Sequence, residues 1–293
     1  MLKKKSSLRH TGAFWAFVAP CCILFGIFFL LPLVLSIAFS FTNYDGWKVM
    51  DFVGIKNYIT LFKDSKFYAS MGRTLVYTIC CLPFRVIIPL LIAVLVTSPR
   101  VRLKSVVRTI SYLPVLISAL VVGITINWMF SQEYGLINFI IQSFGGTPLE
   151  WSLNSGLATF VIGFASVWAS IGFNMIIYVG GINNISPDLY EAASIDGANS
   201  FQSFLRITVP MLSPTTFLVV LLSTVNLLKE YALVQGITQG GPGLSTTYII
   251  QYIFDKGFNQ MEYGYASAIS TVVMIVFALI AYAQFKVNNG GET

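Results

Sequence analysis

The sequence predicts an all-α, polytopic membrane protein with six transmembrane helices. Hydrophobic residues make up 56% of the 293 positions and charged residues only 10%. That composition leaves too little polar surface to cover a soluble globule. The apolar residues also fall into runs that are each long enough to cross the hydrocarbon core of a bilayer. These runs are residues 14–41, 73–97, 106–130, 156–183, 210–232 and 264–286.

Lysine and arginine predict which loops lie in the cytoplasm, because short cytoplasmic loops carry an excess of both. The loop from Ser131 to Ser155 holds two acidic residues and no basic one, so we assign it to the outside. The segment 42–70 is a conflicting signal, since its lysines are only partly offset by aspartates. Basic residues without acidic neighbours lie at the N-terminus and between the second and third runs, namely Lys3, Lys4, Lys5, Arg9, Arg100, Arg102, Lys104 and Arg108. We therefore expect both termini, and the loop after the fourth run, in the cytoplasm.

The first two runs are expected to pack in a bundle. The first is expected to stay as a helix instead of being removed as a secretory signal, since its apolar part is about twice the usual length. Each of the two runs contains two prolines, and in lipid the carbonyls that proline leaves free must be satisfied by neighbouring helices. The four prolines are Pro20, Pro32, Pro83 and Pro89. Between the two runs, the aromatic segment 42–70 is expected to form short interfacial helices.

The later runs continue the same architecture. The fourth run is rich in Gly, Ala and Ser, which permit close helix contacts, so we place it near the centre of the bundle. Residues 236–247 have the composition of turns. Residues 248–258 are amphipathic and too short to span, so they are expected to form an outer interfacial helix.

The stretch from Ser186 to Pro214 is the longest polar segment in the second half of the chain. Ser186 is a good N-cap, Pro187 suits the first helical position, and Gly197 suits the C-terminal stop. A helix of about nine residues is therefore expected, followed by a second short turn at 201–205. A helix this short is marginal in water, so it is expected to dock against a partner.

Three short motifs resemble those of a known family of membrane proteins. The segment 186–214 contains Glu191-Ala192-Ala193, then Asp196-Gly197-Ala198, then Ile207 and Pro210. Further along come Gly240-Gly241-Pro242 with Thr246-Thr247, and Gly264-Tyr265-Ala266. Together they resemble the membrane subunits of binding-protein-dependent ABC importers, in the carbohydrate-uptake branch of the maltose, lactose and glycerol-phosphate type.

The resemblance implies a fold and a coupling site. It implies the type I ABC importer permease fold, with residues 1–293 as one transmembrane domain in a bacterial cell membrane. Residues 186–209 would be the cytoplasmic loop that enters a cleft on an ATP-binding subunit. The residues implied for this coupling are Glu191, Ala192, Ala193, Asp196 and Gly197.

The resemblance also implies several partners. They are a second homologous permease subunit, two ATP-binding subunits and an extracytoplasmic solute-binding protein. The chain has no Gly-Lys-Ser/Thr phosphate loop and its one histidine is His10, so we expect no cofactor and no metal in this chain, with ATP and Mg²⁺ bound by partner subunits. The net charge of +6 is attributed to basic inner loops that face anionic lipid, and no nucleic acid is expected.

Arg85 lies near the centre of the second run, where a charged side chain is costly and must face something polar. One interpretation makes it a pathway residue that contacts hydroxyls or an acidic group of the solute. The other makes it a structural residue bonded to carbonyls freed by Pro83 and Pro89. The sequence leaves both open.

Other polar residues near the fourth and fifth runs are further candidates for the solute pathway. Neutral side chains can bond neighbouring helices or, together with aromatic rings, can suit the hydroxyls and C–H faces of a sugar. For the two charged ones, snorkelling to the outer membrane boundary is the simpler interpretation. The candidates are Asn174, Asn226, Lys229, Glu230 and Tyr231.

The sequence thus predicts half of the translocation pathway of an ATP-driven sugar importer, with an oligosaccharide as the expected solute. One alternative is an ABC permease for glycerol phosphate or another polar solute. A self-contained channel or secondary transporter is a different class of function. Against it, the sequence shows no inverted repeat and no chain of intramembrane acids.

Overall fold

The computed structural model describes residues 7–47, 50–98 and 101–289, with side chains from Phe14 to Val287. The predicted basic residues Lys3, Lys4, Lys5 and Arg100 lie outside the described residues. The described chain is helical and has no β-strand, only an isolated antiparallel bridge between Thr42 and Phe52. Its α-helices are α1 (Ser7–Phe25), α2 (Leu31–Phe39), α3 (Lys56–Leu61), α4 (Ser65–Thr97), α5 (Lys104–Tyr112), α6 (Ala119–Met129), α7 (Leu136–Ser143), α8 (Ser155–Asn183), α9 (Pro187–Ile195), α10 (Ser200–Ser203), α11 (Val209–Met211), α12 (Ser213–Leu228), α13 (Ala232–Ile237), α14 (Ile249–Phe254) and α15 (Tyr263–Asn289).

Four stretches are long and apolar enough to cross a membrane. They are Phe14–Phe39, Ser65–Thr97, Ser155–Asn183 and Tyr263–Val287. Two further pairs of helices qualify only if each bent pair is counted as one span, which brings the number to six. Counted in this way the six predicted spans are present, and those over 106–130 and 210–232 are bent.

The first bend separates Lys104–Leu116 from Ala119–Met129 by 103°. Pro114 opens a 3₁₀ turn over Leu113–Leu116, and Ile117 then becomes extended at φ −99° and ψ 139°. Because proline has no N–H and clashes with the preceding turn, it weakens the α-helix and favours a break at this point. A hydropathy pattern does not register the break, since the residues on both sides remain apolar.

The second bend separates Ser200–Met211 from Ser213–Leu228 by 67°. It lies at Leu212, between Pro210 and Pro214, with φ −85° and ψ 3°. Pro214 cannot donate to the carbonyl four residues before it, which weakens the ladder at this point. The helix that was predicted to reach residue 232 ends at Leu228, and α13 follows after a break of three residues.

The chain divides into two compact units. One unit comprises the chain to Asp64 together with Ile253–Val276, and the other comprises Ser65–Tyr252 and the chain from Phe277. In the first unit, the expected short interfacial helices over 42–70 are represented by α3, which is followed at Ser65 by the start of α4. Asn57 on α3 donates to the carbonyls of Ser40 and Thr42, both at 2.8 Å, and so ties α3 to the turn that follows α2.

The second unit is built on contacts among α4, α8 and α12. Where α8 passes the end of α5, an added Cβ on Gly172 would lie 2.4 Å from the carbonyl oxygen of Ser111, so only glycine fits. α13 packs closely on α6, because Gly123 and Gly236 lie face to face. Gly172 therefore shows that a small residue of the fourth run permits a close helix contact, as the sequence predicts.

Candidate functional site

Arg85 is at the centre of a polar cluster that joins α4, α8 and the break after α12. Tyr77, Cys81 and Arg85 recur every four residues, so they share one face of α4, and all three are buried. Arg85 is only 5% exposed. Its charge must therefore be balanced inside the protein.

The guanidinium of Arg85 has two polar neighbours. Its Nη2 donates a hydrogen bond to Oγ of Ser166 on α8. The same nitrogen lies 3.9 Å from Oε2 of Glu230. That separation is too long for a hydrogen bond but close enough for a charge pair. Arg85 Nε is buried and has no hydrogen-bond partner among the described residues.

Glu230 lies in the break between α12 and α13, and its side chain is 11% exposed. While Oε2 faces Arg85, Oε1 accepts a hydrogen bond from the backbone N–H of Leu233 at 3.2 Å. The carboxylate therefore also satisfies a free N–H in the first turn of α13. The prediction that Glu230 snorkels to a membrane boundary is wrong, because its carboxylate points inward to Arg85.

Asn174 holds the backbone of α4 at the same cluster. Its amide nitrogen donates to the carbonyl of Arg85 at 2.9 Å and to Oγ of Ser223 at 3.0 Å. The Arg85 carbonyl needs this donor because Pro89, four residues on, has no N–H. The freed carbonyl thus bonds to Asn174, and the Arg85 side chain reaches Ser166 and Glu230 instead.

Of the remaining pathway candidates, Tyr231 joins this cluster through a backbone hydrogen bond to the Glu230 carboxyl. Asn226 and Lys229 are exposed, and Tyr231 is half-buried. Contact of any of these residues with a solute stays a prediction. Sequence reasoning missed Ser166 as a partner of Arg85, since it was one of several small residues in the fourth run. The signal for Asn174 was present in the spacing of Arg85 and Pro89.

The second candidate site is the exposed surface of α9. Oγ of Ser186 accepts from the N–H of Asp188 at 3.3 Å and caps the start of the helix. Gly197 ends it with φ +77°, which residues with a Cβ rarely adopt. Start, length and end of α9 are as the sequence predicts. Of the five predicted coupling residues, Ala193 is half-buried and the others are exposed, namely Glu191, Ala192, Asp196 and Gly197.

Two apolar side chains on α9 and the adjacent α10 are exposed to solvent. Ile195 is 86% exposed and Phe201, at the start of α10, is 67% exposed. Asn199 and Gln202 form a reciprocal capping box that fixes the turn between them. Tyr190 and Thr208 share a hydrogen bond of 2.9 Å that ties α9 to the segment leading into α12. This bond links α9 to the segment just before the bend at Leu212.

The two later motifs have structural explanations. Gly240 has φ +93°, and Thr247 Oγ1 donates to its carbonyl at 3.3 Å. Thr246 Oγ1 donates to the carbonyl of Gly241 at 2.7 Å. These bonds fix the turns over 236–247 that the sequence predicts. The residues of this motif therefore stabilise the conformation of a loop.

The glycine of the third motif permits a close backbone contact. An added Cβ on Gly264 would lie 2.1 Å from the carbonyl oxygen of Thr42. Tyr265 donates to Asp64 at 2.7 Å. Both contacts lie within the first unit. Within the described residues, no cluster of three or more His, Cys, Asp or Glu could hold a metal ion.

Comparisons with known proteins agree on one family. A family model described as "Binding-protein-dependent transport system inner membrane component" matches residues 58–289. The chain is 32% identical over 279 residues to the arabinooligosaccharides transport system permease protein AraP of Bacillus subtilis (strain 168), covering 94% of this chain and 88% of AraP. It is 31% identical over 276 residues to the lactose transport system permease protein LacF of Rhizobium radiobacter, covering 92% of each.

A solved structure shows the same fold. It is a crystal structure of a bacterial alginate ABC transporter in complex with an alginate pentasaccharide-bound periplasmic protein. One of its chains matches with a TM-score of 0.83 at 24% identity, covering 94% of both chains. The chain therefore has the fold of a chain in that transporter.

Proposed function

Because this chain belongs to the family of binding-protein-dependent transport system inner membrane components, we propose that it is the membrane subunit of an ATP-driven oligosaccharide importer. In this role it forms half of the solute pathway. The match to AraP over 94% of the chain carries the proposal. The name of that relative specifies arabinooligosaccharides, and that of LacF specifies lactose, so a saccharide is the solute class both support.

The coupling site is the α9 surface, on residues 186–209. Ala192 has a small exposed side chain that permits close approach, and Glu191 offers a carboxylate to a basic or polar group of the partner. Ile195 and Phe201 are apolar groups that a protein cleft would cover. The partner is an ATP-binding subunit, which holds ATP and Mg²⁺, and this chain itself holds no cofactor.

The complete transporter contains further chains. A second homologous permease supplies the other half of the pathway, and two ATP-binding subunits supply the energy. An extracytoplasmic solute-binding protein delivers the saccharide, in keeping with the family's description. Both termini and α9 lie in the cytoplasm of a bacterial cell.

Uptake by intact cells tests the solute class. Cells with and without the gene are given a panel of labelled saccharides, glycerol phosphate and an amino acid. We expect loss of uptake of one or a few related oligosaccharides, restored by the wild-type gene and not by a variant with Ala192→Trp on the α9 surface. Loss of glycerol phosphate uptake alone would overturn the saccharide assignment. Uptake that survives removal of the ATP-binding subunits would favour a self-contained transporter.

A further inference from the structure

The break between α12 and α13 interrupts the helical structure of the second unit. Lys229 at φ −97°, ψ 12° and Tyr231 at φ −141°, ψ −52° both leave the helical ladder. In a membrane the backbone groups freed by such a break must find partners inside the protein. One of these, the N–H of Leu233, is bonded to the Glu230 carboxylate.

The positive charge of Arg85 stabilises the Glu230 carboxylate in that position. Its own side chain is 11% exposed, and Arg85 Nη2 is 3.9 Å from Oε2. A second ion pair among the described residues, Lys256–Glu262, lies in the first unit. A buried carboxylate without a counter-charge would be costly. Glu230 therefore lies between the Arg85 guanidinium and the Leu233 N–H, and both contacts hold it at the start of α13.

Arg85, which is on α4, is bonded to two residues of α8. Ser166 accepts from its guanidinium and Asn174 donates to its carbonyl. Both partners are on α8. The backbone carbonyl and the side chain of Arg85 are therefore bonded to the same helix at two positions along its length. Arg85 thus links α4 and α8 to the break after α12.

The segment that the pair supports carries the exposed polar residues. Asn226 and Lys229 are exposed, and Tyr231 is half-buried. The other end of α12 begins at Ser213, after the segment that connects it to α9. The break is therefore one of the places where the segment that includes α12 is tied to α4, in addition to the contacts of α12 itself with α4 and α8.

We infer that Arg85 and Glu230 are a pair of positioning residues, which act on transport by fixing the α12–α13 break and not by touching the solute. This inference rests on the proposed saccharide transport for its uptake measurements. The charge of Arg85 is already balanced by Glu230, so the pair gives no preference for an acidic over a neutral saccharide.

The experiment compares five variants of the purified complete transporter, namely Arg85→Gln, Glu230→Gln, the double Gln variant, the charge exchange Arg85→Glu with Glu230→Arg, and Arg73→Gln. Arg73 is the control, since it lies on the same helix and is outside the polar cluster. Apparent thermal stability is measured without solute. Uptake into proteoliposomes is measured with one neutral and one acidic oligosaccharide at matched protein content.

We expect each single Gln variant to lower thermal stability and to raise the half-saturating concentration of both saccharides by the same factor, about tenfold. The double Gln variant should lose no more than either single variant, and the charge exchange should recover part of both losses. Arg73→Gln should behave as wild type.

Three results would overturn the inference. Additive losses in the double variant would show that the residues do not act as a pair. A rise for the acidic saccharide alone would show that Arg85 contacts the solute. Lower stability with unchanged half-saturation would reduce the pair to a role in folding. If wild type takes up neither saccharide, the proposed function fails, and the stability comparison still decides whether the pair is coupled.

Discussion

The side-chain amide of Asn174 donates at 2.9 Å to the backbone carbonyl of Arg85, which is the carbonyl that Pro89 leaves without a helical partner. α8 thereby supplies the hydrogen-bond donor that α4 lacks, at the same residue that carries the buried charge of α4. The polar residues of these helices are thus linked by a backbone requirement as well as by charge. The stability that the protein loses when Asn174 is removed should therefore depend on the presence of Pro89.

A double-mutant cycle tests that dependence. Asn174→Ala should lower the thermal stability of the purified transporter, by about 0.6 to 1.7 kcal/mol for a bond inside a membrane. In a Pro89→Ala background the N–H of residue 89 can bond the Arg85 carbonyl, so the same change at Asn174 should cost less. The measurement is thermal unfolding of the four proteins in one detergent. Equal costs in both backgrounds would contradict the account.

The contrast between α9 and the bends shows what the sequence can predict. The ends of α9 depend on Ser186, Pro187 and Gly197, whose preferences are local and were read correctly. The bend at Leu212 was missed because hydrophobicity continues across it. The pair of Arg85 and Glu230 was missed for another reason, since only tertiary packing brings two residues so far apart in sequence together.

The close approach at Gly172 gives a prediction about packing. Gly172→Ala should destabilise the protein by about 1 to 3 kcal/mol, because the new Cβ would lie 2.4 Å from the Ser111 carbonyl oxygen and the two helices would have to separate. Gly180→Ala on the same helix is the matched control, since nothing lies within 4 Å of its added Cβ. Thermal stability of the two variants should differ clearly, with Gly180→Ala near or above wild type.

The predicted orientation can be tested by labelling single cysteines. Both Ser194 on α9 and Ser155 at the start of α8 are exposed. With the four native cysteines replaced, a membrane-impermeant thiol reagent should label Ser155→Cys in intact cells and label Ser194→Cys only after the membrane is opened. The reverse pattern would place α9 outside the cell and remove the coupling proposal.

The α9 surface should be needed for coupling and not for folding. Ala192→Trp places a bulky side chain on an exposed position, so we expect normal membrane levels and thermal stability of the permease. The ATP-binding subunits should no longer copurify, because they could not approach α9. Ser155→Trp, also exposed but on another part of the chain, is the control and should copurify them as wild type does. Retention of the subunits by both variants would refute the docking role of α9.

The most direct test of the central claim is oligosaccharide uptake by proteoliposomes that contain the complete transporter and its solute-binding protein. Uptake is measured with ATP and Mg²⁺ on the side of α9, with a non-hydrolysable analogue, and with Ala192→Trp in place of wild type. We predict accumulation that requires hydrolysable ATP and that Ala192→Trp abolishes. Equal uptake with the analogue, or with Ala192→Trp, would contradict the assignment of this chain as an ATP-coupled saccharide permease.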